Sequence, residues 1–318
     1  MIDFSRFNNL VSLVSYFSRK DACEQAIIDS RWGNGNIICP YCGKPHCKKS
    51  KNGRFHCTRC NRHFSCLVGT IFENTKISLV KWFTAMYLIS SHKKGISSYQ
   101  LAKDIDVTQK TAWYMLQKIR TLYRQYEEDM FYGTVECDEV YIGGKEKWKH
   151  KSMRTPHTQG RSTKTKTPVF GMVVRDQDNY TFSIVHAFAV DKVDKKTIQS
   201  IIREFVYTGS MVITDEHNAY NGLENLGYWH SVVKHSKEEY VDGNIFTNSI
   251  EGFWSHFRRM ISGCYHNISD EHLQSYIDEA CYRWNTRKAS SMERFSDMFS
   301  KSIGYVIRQC DIKLCEAA

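Results

Sequence analysis

Thr134-Val135-Glu136-Cys137-Asp138-Glu139-Val140-Tyr141-Ile142 follows Gly133 and has the β-branched and aromatic make-up of a strand, yet acids stand at its centre. Burying Asp138 in such a run is costly unless something compensates its charge. Alternation along a strand puts Glu136 on the Asp138 side and turns Glu139 away, which makes Glu139 a second choice as its partner. Working outward, further strands are expected at 168–174 and 180–185, a helix near 195–207, and a short strand at Met211–Thr214. A helix near Asn218, a strand near 230–233 and mostly helix over 248–286 complete the pattern. Consecutive strands, a crossover helix, then more strand and helix make an α/β domain.

Two more polar groups join Asp138. Asp215 directly follows the apolar run Met211–Thr214, at the carboxyl end of a strand, where α/β sheets tend to place their sites. On the helix beginning near Thr247, at about 100° per residue, Ile250, Phe253, Trp254, Phe257, Met260 and Ile261 share one arc. Asn248, Glu251, Ser255 and Arg258 form a polar stripe beside it. Asp138, Asp215 and Glu251 are hard oxygen ligands suited to two Mg²⁺ (or Mn²⁺) ions about 3.5–4 Å apart, one activating an attacking oxygen and one stabilising a leaving oxygen.

Upstream, Cys39-Pro40-Tyr41-Cys42 and Cys57-Thr58-Arg59-Cys60 are two C-x-x-C pairs with fourteen residues between them, the spacing by which two knuckles deliver four thiolates to one zinc ion. Four thiolates close the coordination shell, so this zinc is structural. Cys47, Cys66, His46, His56 and His63 lie close by as possible substitutes. Before the ribbon, Phe7, Leu10, Val11, Val14 and Phe17 fall at helical intervals, and Asp21 can cap a second helix through Cys23, Ala26 and Ile27. After it, Ser97 to Arg120 reads as two short helices around a tight turn. Leu101, Ala102, Ile105, Val107, Ala112, Leu116 and Ile119 face inward, while Gln109, Lys110, Trp113 and Tyr114 are offered outward as a recognition helix offers residues to a major groove.

The net charge of +10 comes from 44 Lys/Arg against 34 Asp/Glu and is local. Residues 44–63 carry seven basic residues and no acid, and residues 144–168 carry eight against one Glu; the remainder of the chain is net acidic. Paired basic windows favour contact with a phosphate backbone. The second window reads as a long loop whose Lys145, Lys147 and Lys149 can hold DNA or a partner subunit, or as a solvated linker. At 318 residues, with 42% hydrophobic and 25% charged residues, the chain is a folded, multidomain protein. It has no apolar run of about 18 residues and no secretion-type opening, so a cytoplasmic home with reduced cysteines is expected, and no membrane partner.

Several motifs together carry a resemblance that runs nearly the whole chain: Arg31-Trp32-Gly33, the double C-x-x-C, the run from Phe64 to Phe72, Lys94-Gly95-Ile96-Ser97, Lys110-Thr111-Ala112-Trp113, the run from Val135 to Gly144, Thr214 to Tyr220, and Asn248 to Trp254. In this order they resemble the bacterial insertion-sequence transposases that join an N-terminal zinc ribbon to an RNase H-like DDE domain. The resemblance implies a retroviral integrase-like catalytic fold. It implies metal-dependent cleavage at the terminal inverted repeats of an element, followed by transfer of the freed 3′-hydroxyl into target DNA. Asp138, Asp215 and Glu251 match the family's catalytic acids, with Asn248 as a rival for the third position. Arg258 stands where many members have Lys, keeping the charge and changing the phosphate geometry. A homodimer or larger assembly on DNA and a nucleoid-associated location also follow from the resemblance. The domains expected are a helical segment at 1–35, the zinc ribbon at 36–68, a helix-turn-helix at 72–126, the catalytic domain at 131–290 with its basic loop at 144–168, and a tail at 291–318. The competing readings are a regulator that binds DNA without cutting it and an RNase H-like nuclease.

Overall fold

The computed structural model describes residues 3–33, 35–50, 53–124, 130–143, 150–156, 162–175, 182–233 and 247–304. The chain divides into two compact units, one formed by Met1–Tyr123 with Lys288–Ala318 and the other by Arg124–Arg287.

In the first unit α1 (Leu10–Phe17) opens with a capping box, in which Asn9 Oδ1 accepts from the Ser12 amide and Ser12 Oγ accepts from the Asn9 amide. Its inward residues are Leu13 and Phe17, whereas Val11, placed by period on the same face, is 73% exposed. Asp21 does precede α2 (Ala22–Trp32), but it adopts a left-handed backbone (φ 59°) and its side chain makes no capping bond. Cys23, Ala26 and Ile27 are buried as their spacing requires. Strands β1 (Cys47–Lys49), β2 (Phe55–Cys57) and β3 (His63–Phe64) form a small antiparallel ribbon in that order. Its apolar content is Phe55 and Phe64, stacked at 5.5 Å, with Trp32 of α2 edge-on to Phe55 at 5.3 Å. Then come α3 (Leu79–Ser91), α4 (Ser98–Asp104) and α5 (Gln109–Arg120), whose N-caps Ser78, Ser97 and Thr108 each accept a backbone N–H from the first turn. Asp106, at φ 51°, supplies the left-handed residue that makes the turn between α4 and α5 sharp.

The second unit is built on a five-stranded sheet. Strands β4 (Thr134–Ile142), β5 (Thr167–Val174) and β6 (Ile184–Ala189) are antiparallel neighbours; after α6 (Lys195–Phe205), β7 (Met211–Thr214) pairs parallel to β4 and β8 (Trp229–Val232) parallel to β7. The spatial order β6-β5-β4-β7-β8, with an antiparallel meander joined to two parallel strands, is the RNase H-like sheet. Helices cover both faces. Val135 and Cys137 of β4 pack in the cluster with Ile198 and Ile202 of α6, whereas Val140 joins the cluster with α7 (Asn248–Met260) and α8 (Leu273–Asn285). A π-helical turn at Ile261–Tyr265 ends α7. Two side-chain amides of α8 run along β6. Asn285 accepts from the Val185 amide at 2.8 Å and donates to its carbonyl at 3.0 Å, while Gln274 accepts from the Ala189 amide at 2.8 Å and donates to the Ala187 carbonyl at 3.2 Å.

The expected tail at 291–318 is corrected by α9 (Ser291–Gly304), which returns to the first unit. Phe295, Met298, Phe299 and Ile303 fall on one helical face and are buried, with the Phe299 ring 5.3 Å from Phe83 of α3 and 5.0 Å from Phe4. Residues 305–318 lie outside the described residues. Among the described residues, no helix is long and apolar enough to cross a membrane.

Candidate active site

The sheet register puts the two aspartates side by side. Thr134, Val135 and Glu136 pair with Met211, Val212 and Ile213, and carrying the same offset two residues further sets Asp138 beside Asp215. Equivalent residues on parallel strands point to the same face, so the pair shares one side of the sheet. Strand β7 stops at Thr214, which leaves the flank of β4 open from that point on. Through this opening Glu139, which faces the other side, reaches the same place: ligand oxygens of Asp138, Glu139 and Asp215 all lie within 4.8 Å of one another. The alternation rule ranks Glu139 behind the other acids, and along the β4–β5 ladder it holds; beyond Thr214, however, β7 no longer covers this flank of β4, so a carboxylate from either face can turn into the gap. The Asp-Glu doublet beside so short a neighbouring strand was the available signal. Glu139 is buried, and Tyr220 Oη donates to its Oε2 at 2.9 Å.

Burial, then the charge of Glu139, then that of Asp215, push the Asp138 carboxyl up to about 7, against the backbone hydrogen bond and the Trp254 indole N–H that favour its anion. Crowded together, the three carboxylates form a set of hard donors that a divalent cation would neutralise.

Helix α7 is held to β4 from above. The amides of Ser249 and Ile250 donate to Glu136 Oε2 at 2.8 and 3.0 Å, and Arg175 Nε donates to Glu136 Oε1 at 2.9 Å. Trp254 Nε1 donates to Asp138 Oδ2 at 3.0 Å. The expected polar stripe is present, since Asn248, Glu251, Ser255 and Arg258 are all exposed. Glu251 stands outside the group formed by Asp138, Glu139 and Asp215; Thr247 Oγ1 donates to its Oε1 at 3.3 Å. It lies on α7 between the two points tied to β4.

In the ribbon, Cys39, Cys42, Cys57 and Cys60 bring their sulfurs within 4.8 Å of one another. The separations of 3.6 Å (Cys39 to Cys60) and 3.7 Å (Cys42 to Cys57) match the ~3.8 Å edge of a tetrahedron with zinc–sulfur bonds of about 2.3 Å. Each knuckle turns at the residue after its second cysteine, Gly43 at φ 66° and Asn61 at φ 54°. Backbone N–H groups of Cys60 and Arg59 point at the Cys57 sulfur and bring its thiol down to about 6, favouring the thiolate that a metal needs. Cys47, Cys66, His46, His56 and His63 are not members of the group.

On α5, Lys110 is exposed and Gln109, Trp113 and Tyr114 are half-buried. Gln109 Nε2 donates to Ser98 Oγ of α4 at 2.8 Å, which ties the two helices of the turn together. Lys118 lies 5.3 Å above the Tyr114 ring and donates to the Ile71 carbonyl at 3.0 Å. Lys145, Lys147 and Lys149 lie outside the described residues.

A family model described as an ISXO2-like transposase domain matches residues 130–285, and one described as a transposase zinc-ribbon domain matches residues 19–63. The chain is similar to an uncharacterized protein in transposable element ISH50 of Halobacterium salinarum, with 30% identity over 259 residues covering 78% of this chain and 84% of that one. It is also similar to an uncharacterized transposase-like protein of Haemophilus influenzae, with 30% identity over 107 residues covering 34% of this chain and 85% of that one. The solved Mos1 strand transfer complex matches at 15% identity, covering 67% of this chain and 75% of that one, with a TM-score of 0.28.

Proposed function

The chain belongs to the ISXO2-like family and is a DDE-type DNA transposase, and on that footing we propose that it cuts the terminal inverted repeats of an insertion sequence and joins the freed ends to target DNA at the Asp138–Asp215 site. The observation that carries the reading is the convergence of Asp138, Glu139 and Asp215 within 4.8 Å at the open flank of β4. Asp138 and Asp215 hold the divalent cations, Mg²⁺ in the cell or Mn²⁺, from one face of the sheet. Glu139 adds a carboxylate from the opposite face. Glu251 comes from α7 on the solvent side as the third catalytic acid, with Asn248 one turn before it. Two such ions, when bound, activate the attacking oxygen and stabilise the leaving oxygen of an in-line phosphodiester displacement. Arg258, two turns beyond Glu251 on the same exposed stripe, meets the phosphate backbone with a fixed positive charge.

Zinc in the four-cysteine site holds the ribbon folded, and the ribbon with α3 to α5 grips the terminal repeats. Lys110, Trp113 and Tyr114 contact DNA from α5, and Gln109 does so while tied to α4. Lys145, Lys147 and Lys149, which follow the catalytic strand in sequence, contact DNA as well. Two element ends must be brought together, so the working form is a homodimer or larger assembly on DNA in the cytoplasm, at the nucleoid. The test is cleavage of a duplex carrying the element's own end, with Mg²⁺ or EDTA, by wild type and Asp215→Asn. Cleavage that needs Mg²⁺ and is lost in the variant supports the reading; equal cleavage by both proteins removes Asp215 from the site.

A further inference from the structure

Trp254 is 2% exposed, and its position is set by what lies beneath it. Gly171 of β5 is the register partner of Asp138 on β4, and a Cβ at position 171 would sit 2.6 and 2.7 Å from Cζ2 and Cη2 of the indole and 3.1 Å from Ile250 Cδ1. The indole lies on this bare stretch of backbone, and from there Nε1 reaches Asp138 Oδ2 at 3.0 Å. The second tie, from Glu136 to the Ser249 and Ile250 amides, fixes the start of the same helix. The two ties have matching pitch. From Glu136 to Asp138 the strand rises about 6.6 Å. From the midpoint of Ser249 and Ile250 to Trp254 the helix rises about 6.8 Å. A ring without an N–H would fill the same apolar space, so packing alone does not explain an indole whose nitrogen ends on a carboxylate of the site.

We infer that Trp254 is a positioning residue for the cation site, holding one oxygen of Asp138 so that the other is left for the metal, with Gly171 as the seat that lets it do so. The inference rests on the reading of Asp138 as a cation ligand. Hydrogen bonds that orient a ligating side chain are typically worth 10–100-fold in metal affinity.

The experiment is calorimetric titration of the full-length, zinc-loaded protein with Mn²⁺ in the absence of DNA, for wild type, Trp254→Phe, Gly171→Ala, the double variant and Asp138→Asn. Binding to the element-end duplex in EDTA and the thermal midpoint are measured on each. Trp254→Phe is expected to weaken Mn²⁺ binding about 10–100-fold with DNA affinity and midpoint near wild type. Gly171→Ala is expected to weaken it as well by displacing the indole, and the double variant to be no weaker than Trp254→Phe alone. Wild-type Mn²⁺ affinity in folded Trp254→Phe overturns the inference, and if that variant does not fold, wild-type affinity in Gly171→Ala does so. Wild-type affinity in Asp138→Asn removes the cation site itself, a separate failure that takes the inference with it.

Discussion

The two clusters of metal-binding groups gather their atoms to the same closeness by opposite routes. In the ribbon, four sulfurs from one short stretch of chain meet through two copies of a tight turn, with Phe55, Phe64 and Trp32 packed together behind them. In the sheet, Asp138 and Asp215 are 77 residues apart in sequence and meet because β4 and β7 pair in parallel with that same offset. The first cluster is expected to need an ion in order to fold; the second is assembled by a fold that a packed core already holds, and it keeps three carboxylates together against their own repulsion. Removing a ligand should therefore cost structure in one place and chemistry in the other.

The largest effect is expected at the ribbon. Cys39→Ser should abolish stoichiometric zinc and forfeit the order of 10 kcal/mol that such sites contribute, read as lost zinc by elemental analysis and proteolysis within residues 36–68. A ribbon that stays protected without zinc would break the contrast. Next, Asp215→Asn should lower Mg²⁺-dependent cleavage about a thousandfold, on the order of 4 kcal/mol, while the thermal midpoint holds or rises because a repelling charge is gone. A large fall in the midpoint would place Asp215 among the structural groups instead.

The third expectation concerns pH. Asp138 keeps a proton up to about 7 in the folded protein, whereas in the unfolded chain it loses it near 4. That proton stabilises the metal-free protein fully below pH 4, and its contribution is gone above about 7. Cation affinity has the opposite sign, so Mn²⁺ binding measured by calorimetry should weaken about tenfold per pH unit below 7. Asp138→Asn should flatten the stability trend. A smaller effect is expected at α5, where Lys110→Ala should weaken DNA binding a few-fold and lower the salt slope by about one, as read by anisotropy at several salt concentrations.

Much of this was legible in the sequence for reasons that differ between the clusters. Cysteine spacing is a local distance, so the ribbon could be read directly. The strand at Thr134–Ile142 and the helical stripe from Asn248 to Arg258 follow from period. The juxtaposition of Asp138 with Asp215 depends on a register no local pattern encodes; the sequence places one in a strand and the other at a strand's end, and the resemblance to a family adds that both match its catalytic acids. Glu139 ranks second by alternation because the end of β7 is invisible to an argument made on β4 alone. The apolar face of α9 carries no local sign of its partner, because α3 lies about two hundred residues earlier in the chain. The anchoring role of Glu136 has no sequence signature, since its partners include backbone amides of a distant helix.

The amides of Gln274 and Asn285 that run along β6 bear on how the molecule lives in a crowd. A bare outer strand is a template on which another chain's backbone can add itself, and such growth is the first step toward cross-β stacking. Here an intruder would have to displace the paired bonds of both side chains at once, so Gln274 and Asn285 help to close the outer rim of β6 to strand addition.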